Sequence, residues 1–242
     1  MRPILFHVGP IAIYSYGLLL VIGFLSALYV IKKNAHTDPQ ILDSLAFWLI
    51  LVGIAGARIL HVLLNIHTYI QNPISAFAIH RGGLVFYGGL AGAVIAGALF
   101  CRVKKIKFWE ISDEVALGIP VGTFFGRIGC FLNGCCYGRQ TGVLWGVKHP
   151  TLDHIVHPVQ LYEALLLLLI FFIILKLKFL WKGRMQGDIF LVYVILYSAA
   201  RIFMEFFRGD HPETISGIFQ ISMIFIIISF GMFIAYRYAT RK

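Results

Sequence analysis

Two arginines stand where an apolar chain has little reason to hold a charge. Arg201 lies in the run Tyr197-Ser198-Ala199-Ala200-Arg201-Ile202-Phe203-Met204-Glu205, and Arg127 lies in Gly126-Arg127-Ile128-Gly129. A guanidinium stays charged when desolvated and presents a planar fork of donors that matches phosphate or carboxylate. Tyr197, Arg201 and Glu205 recur every four residues, so on a helix they share one face, where Glu205 would orient and partly neutralise Arg201. Arg127 has no acid nearby in sequence. The pair points to a pocket for an anionic group, most simply a lipid headgroup. The plainer reading makes Arg201–Glu205 a structural ion pair and lets Arg127 snorkel to an interface. It fits any one of these residues better than it fits the whole set.

Other polar residues fall in or at the edges of apolar runs: Tyr16, Arg58, Tyr87, Gln160 and Glu163. Gly82-Gly83 and Gly88-Gly89 flank Tyr87, while Gly129, Gly134 and Gly138 follow Arg127. Irregular backbone of this kind is tolerated inside a membrane only where it is buried in protein or lines a cavity. Gly118, Gly122 and Gly126 form a ridge best read as ordinary close helix packing. Cys130, Cys135 and Cys136 lie near His149, His154 and His157, but the spacing matches no zinc pattern. The cysteines therefore read as small buried packing residues, with no metal and no cofactor required. Gly-x-Ser-x-Gly, phosphate-loop and His-Glu-x-x-His motifs are absent from the sequence.

The elements that must position these groups are apolar. Of 242 residues, 59% are hydrophobic and 13% charged, with a mean hydropathy of +0.83. A soluble domain carries about 45–50% apolar and about 25% charged residues. Apolar runs recur from end to end, so the expectation is an all-α integral membrane protein, residues 1–242 forming one polytopic domain. Seven spans are expected, at about Ala12–Ile31, Ser44–Leu64, Leu84–Phe100, Ile111–Phe131, Val159–Leu175, Asp188–Phe206 and Ile218–Tyr236. The first reads as a retained helix, because a cleaved signal would show a basic start and a small-residue cleavage site. Placing the amino terminus outside puts thirteen Lys and Arg, from Lys32 to Lys242, in inner segments and only Arg2, Arg81, Arg139, Lys148 and Arg208 in outer ones. That bias sets the amino terminus out and the carboxyl terminus in the cytoplasm. The net charge of +10 thus belongs to topology and anionic lipid surfaces, not to a nucleic-acid face.

On this topology Tyr16, Arg58, Tyr87, Arg127, Gln160, Glu163, Tyr197, Arg201 and Glu205 all fall in the outer half of the membrane. The longest outer loop, about residues 132–158, adjoins them and is read as functional. A transporter would spread polar residues through both leaflets, and no internal repeat is visible.

The motifs resemble those of bacterial prolipoprotein diacylglyceryl transferases. The resemblance rests on Tyr16-Gly17, Gly82-Gly83-Leu84-Val85-Phe86-Tyr87-Gly88-Gly89, Gly126-Arg127-Ile128-Gly129-Cys130-Phe131-Leu132-Asn133-Gly134 running on to Tyr137-Gly138-Arg139, His157-Pro158-Val159-Gln160-Leu161-Tyr162-Glu163, and Tyr197 to Arg208. It implies a seven-helix enzyme of the bacterial cytoplasmic membrane, with its active site towards the outer leaflet. Such an enzyme moves diacylglyceryl from phosphatidylglycerol to the lipobox cysteine thiol of a prolipoprotein, making a thioether and releasing glycerol phosphate. It further implies Arg127, Arg201 and Tyr87 as catalytic residues. Tyr16, Arg127, Asn133, Gly138, Gln160, Glu163, Tyr197 and Glu205 are implied as lipid- or substrate-binding residues.

The chain departs from the usual motif at three positions: many members carry His at the place of Tyr87, Asn at that of Cys130 and Glu at that of Cys135. A phenol with an ordinary pKa of about 10 is a poor resting base beside an imidazole at about 6.5. Tyr87 is therefore expected to donate a hydrogen bond, with interfacial anchoring as the alternative. The departures keep in view a paralogue with a different acceptor, and a lipid-binding or transport protein without chemistry is the alternative from another class.

Overall fold

The computed structural model describes residues 1–8, 11–78, 82–209 and 215–240. Arg81, Arg241 and Lys242, which enter the charge bias, lie outside them. The chain is mostly helical. The long helices are α1 (Ser15–Asn34), α2 (Pro39–Leu64), α4 (Phe86–Lys104), α5 (Phe108–Asn133), α6 (Val159–Leu180), α7 (Asp188–Glu205) and α8 (Ile215–Ala239), with a short α3 (Ile66–Gln71) after α2. Each expected span overlaps one of the long helices. Among the described residues, α1, α2, α4 and α5 are long and apolar enough to cross a membrane.

The all-α expectation is corrected by two small antiparallel sheets. β1 (Ile4–Val8) pairs with β2 (Ile11–Tyr14), placing Phe6 opposite Ile13 and His7 opposite Ala12. Ala12 to Tyr14 were assigned by hydropathy to the first span, yet they are strand. Hydropathy alone does not separate helix from strand, and β-branched and aromatic residues favour the pleated form. The Ser15 backbone N–H then donates to the Pro3 carbonyl at 2.9 Å, which ties the strand end to the start of α1. The second sheet pairs β3 (Val147–Lys148) with β4 (Ile155–Val156), so residues 132–158 are folded.

The chain forms two compact units, residues 35–111 and the remainder. In the first, α2 begins under a cap: Asp38 accepts from the Gln40 N–H at 2.7 Å, and Pro39 follows at a position where no N–H is needed. α2 and α4 approach through glycines. A Cβ on Gly56 would stand 2.5 Å from the Gly88 carbonyl oxygen, and one on Gly92 would stand 2.6 Å from that of Val52. Small residues at such crossings bring the helix backbones into contact. Arg58 is buried and donates to backbone carbonyls: Nε to Ala76 at 2.7 Å, Nη2 to Ser75 at 2.7 Å, and Nη1 to Gly82 at 2.7 Å and Gly83 at 3.1 Å. Grouped by sequence with the polar pocket, it instead supplies donors to a stretch of non-helical backbone.

In the second unit, Gly118 and Gly122 pack α5 on α1. A Cβ on Gly118 would stand 2.5 Å from Ile31 Cδ1, and one on Gly23 would stand 2.8 Å from the Gly122 oxygen. The apolar centre joins Ala116 and Leu117 of α5, Ile170 and Ile174 of α6, and Ile189 and Tyr193 of α7. Asp113 caps the start of α7, accepting from the Gly187 N–H at 2.8 Å and the Phe190 N–H at 2.9 Å. Nearby, Arg237 of α8 closes to 2.6 Å on the fully buried Asp188.

Candidate active site

Within that second unit, α5, α6 and α7 bring four charged side chains together. Arg127 enters near the end of α5, Glu163 from the first turns of α6, and Arg201 and Glu205 from the last turns of α7. Arg127 Nη2 lies 2.8 Å from Glu163 Oε1, and Arg201 Nη1 lies 3.5 Å from the same oxygen. Arg201 Nη2 reaches Glu205 Oε2 at 3.3 Å, the i,i+4 pair expected from spacing. Arg127, without an acid partner in its own stretch of sequence, has one across the helix packing.

The four charges balance, but the geometry is not saturated. Both carboxylate side chains are 3% exposed, whereas Arg127 and Arg201 keep 17% and 12%. Arg201 Nη1, Glu163 Oε1 and Glu205 Oε1 are buried without an aligned hydrogen bond among the described residues. Arg201 Nη1 and Glu163 Oε1 remain ion-paired at 3.5 Å, and Glu163 Oε1 meets Arg127 at 2.8 Å, so these bonds are loosely aligned and leave capacity for a ligand or solvent contact. An anionic oxygen entering from the exposed side meets two guanidinium groups that the acids hold in place. Such preorganised donors stabilise charge that grows during a reaction.

A Cβ on Gly129 would stand 3.1 Å from Tyr16 Cδ2, so α1 and α5 meet at the tyrosine ring. Tyr16 and Tyr197 are each within electrostatic reach of Arg127. The Tyr197 ring stacks on Tyr193 at 5.9 Å between centroids. Asn133 is exposed at the end of α5.

Gln160 and Gly138 make close backbone contacts at the loop after α5. Gln160 is 1% exposed, and its Nε2 donates to the Cys135 carbonyl at 2.7 Å, so this amide nitrogen holds the loop after α5. Residues 137–139 thread between the start of α6 and the end of α7. The Gly138 N–H donates to His157 at 3.1 Å, the His157 N–H to Arg139 at 3.0 Å, the Arg139 N–H to Phe207 at 2.8 Å, and the Gly209 N–H to Tyr137 at 3.2 Å. A Cβ on Gly138 would stand 2.5 Å from the His157 oxygen and 2.6 Å from Val159 Cγ2, so only glycine fits. Beside this strap, Tyr162 joins Trp145 and His157 through its hydroxyl, at 2.6 and 3.2 Å.

Tyr87 belongs to the unit of residues 35–111. It lies in the first turn of α4, 45% exposed, with its ring edge-on to Phe86.

The cysteines form a cluster that sequence spacing did not reveal. The sulfur atoms of Cys130, Cys135 and Cys136 all lie within 4.8 Å of one another. Gly134 and Cys136 adopt positive φ of 78° and 60° and fold the chain back on the end of α5, where the Cys135 N–H donates to the Cys130 carbonyl at 3.1 Å. His149 and His157 are engaged elsewhere, on the Gly134 carbonyl and the Tyr162 hydroxyl.

A family model described as prolipoprotein diacylglyceryl transferase matches residues 3–237. The chain is 38% identical over 228 residues to the phosphatidylglycerol–prolipoprotein diacylglyceryl transferase of Idiomarina loihiensis, covering 91% of this chain and 85% of that one. Against the protein of the same name from Pseudoalteromonas translucida it is 36% identical, with coverage of 99% and 95%. Against that from Clostridium tetani it is 33% identical, with coverage of 96% and 97%. Motifs, helices and relatives agree, and the chain belongs to the prolipoprotein diacylglyceryl transferase family.

Proposed function

We propose that this chain moves the diacylglyceryl group of phosphatidylglycerol onto the lipobox cysteine thiol of a prolipoprotein. The cysteine sulfur attacks glyceryl C3, the bond from C3 to the phosphate oxygen breaks, and glycerol phosphate leaves with the electron pair. The thiol proton passes to a lipid oxygen or to water, and the product is a thioether. Arg127 and Arg201 bind the phosphate and stabilise the charge growing on it, while Glu163 and Glu205 fix their forks. Tyr16, Asn133 and Tyr197 line the lipid site, Gln160 and Gly138 hold its rim, and Tyr87 is a hydrogen-bond donor in the reaction on the strength of its motif. The thiol, ordinarily at a pKa of about 8.5, needs little help to ionise beside two cations.

The setting is the bacterial cytoplasmic membrane, crossed seven times with the amino terminus outside and the site towards the outer leaflet. Seven long helices and the bias of basic residues support that topology. The observation that carries the reading is the meeting of two arginines from α5 and α7 on one Glu163 oxygen. The test is to incubate purified protein in phosphatidylglycerol vesicles with a lipobox peptide and weigh the peptide by mass spectrometry. A gain of one diacylglyceryl mass is expected, and it should vanish when the lipobox cysteine is replaced by serine. An unchanged peptide mass with phosphatidylglycerol present would overturn the assignment.

A further inference from the structure

We propose that Cys130, Cys135 and Cys136 form a binding site for one soft d10 metal cation, of the copper(I) type. Three sulfur atoms already lie within 4.8 Å of one another. With metal–sulfur bonds of about 2.3 Å, a trigonal site needs sulfurs about 4.0 Å apart, so closure takes less than an ångström of movement. The donor set is purely thiol, which selects soft cations over magnesium, calcium or manganese.

The backbone is shaped for convergence. Neighbouring residues in an extended chain point to opposite sides, and Cys135 and Cys136 would diverge. A φ of 60° at Cys136, a conformation that side-chain-bearing residues adopt at a cost, turns its thiol back towards Cys130. The Cys135 thiol donates to the Cys130 carbonyl at 3.7 Å, which keeps the loop folded on the end of α5. Cys130 is buried at the end of α5, while Cys135 and Cys136 are half-buried, which leaves an ion a way in. Arg127 precedes Cys130 by three residues on α5 and is within electrostatic reach of Cys130 and Cys136. Arg127 remains ion-paired with Glu163 at 2.8 Å, so the thiol cluster borders the charged site without taking over its arginine. Binding exchanges three thiol protons for the cation and leaves every sulfur at its oxidation level.

The experiment uses the full-length protein in detergent, reduced and handled without oxygen, titrated into a coloured copper(I)–bicinchoninate solution. One copper per chain should be withdrawn from the indicator, and X-ray absorption should show three sulfur ligands. Cys136→Ser should weaken retention at least 100-fold, and Cys130→Ser likewise. Cys101→Ser, at a thiol outside the cluster, should bind as the parent does. Because Cys130 is buried and its replacement can unfold the chain, Cys136→Ser is the deciding variant, with a monodisperse elution profile certifying its fold. Failure of the reduced parent to withdraw copper, or full retention by folded Cys136→Ser, overturns the proposal. The readout is metal binding, so its failure and a failure of lipid transfer are separate results.

Discussion

Arg127 of α5 and Glu163 of α6 stand 2.8 Å apart, although thirty-six positions separate them in the chain. That contact, shared by Arg201 at 3.5 Å, makes the acid the hub of the site.

Glu163→Gln keeps the shape of the hub and removes its charge. The two guanidinium groups then repel without a mediator, and their forks lose registry. Peptide lipidation should fall by about 10- to 100-fold, through kcat more than through KM for the lipid. A parental rate in a folded Glu163→Gln protein would sink the positioning role.

Arg127→Lys and Arg201→Lys keep the charge but lose the planar fork. Each should lower the rate by about 100-fold or more, the usual cost of removing one preorganised donor from a reacting centre. Single-turnover lipidation in phosphatidylglycerol vesicles measures this, and full activity in either variant would contradict the mechanism.

Tyr87→Phe tests a role inferred from motif alone. Loss of the hydroxyl should slow transfer several-fold, and Tyr87→His should retain activity by offering another donor. Unchanged turnover in Tyr87→Phe would leave the tyrosine as an interfacial anchor.

Gly138→Ala forces a methyl group against the His157 carbonyl and Val159. Overpacking of this kind costs about 1–3 kcal/mol, so the thermal midpoint in detergent should drop, and lipidation with it. An unchanged midpoint would mean that the strap yields more readily than its contacts indicate.

Asp188→Asn leaves Arg237 facing a neutral partner at a fully buried position. Arg237 is 29% exposed and water can take up its charge, so the loss is that of a hydrogen bond to a charged group, about 1.5–3 kcal/mol, and the variant should melt earlier while peptide lipidation below the melting range is preserved. Equal melting temperatures would count against a structural role for the pair.

The apolar runs placed all seven long helices, because span length and hydropathy are properties of contiguous sequence. The i,i+4 relation of Arg201 and Glu205 was legible for the same reason. The Arg127–Glu163 contact was not, since it depends on how α5 and α6 pack. The thiol cluster stayed hidden because two positive-φ residues, Gly134 and Cys136, undo the separation that the spacing implies. Arg58 looked like a pocket residue because its depth in a span is readable, whereas its four carbonyl acceptors arrive from residues 17 to 25 positions further along. The β1–β2 hairpin merged into the first apolar run, where hydropathy carries no mark of strand.

Residues 137–139 pair on one side with residue 157 and on the other with residues 207 and 209. Because the same three residues serve both edges, neither edge opens alone without exposing the other. The amides of Gly138, Arg139, His157 and Gly209 should therefore exchange with deuterium at one common rate, as a single cooperative unit. Gln140 and Thr141 continue the pairing onto β4, so only the tip between β3 and β4 lies outside the ladder, and lengthening it at Thr151 or Leu152 should leave the exchange of those four amides untouched.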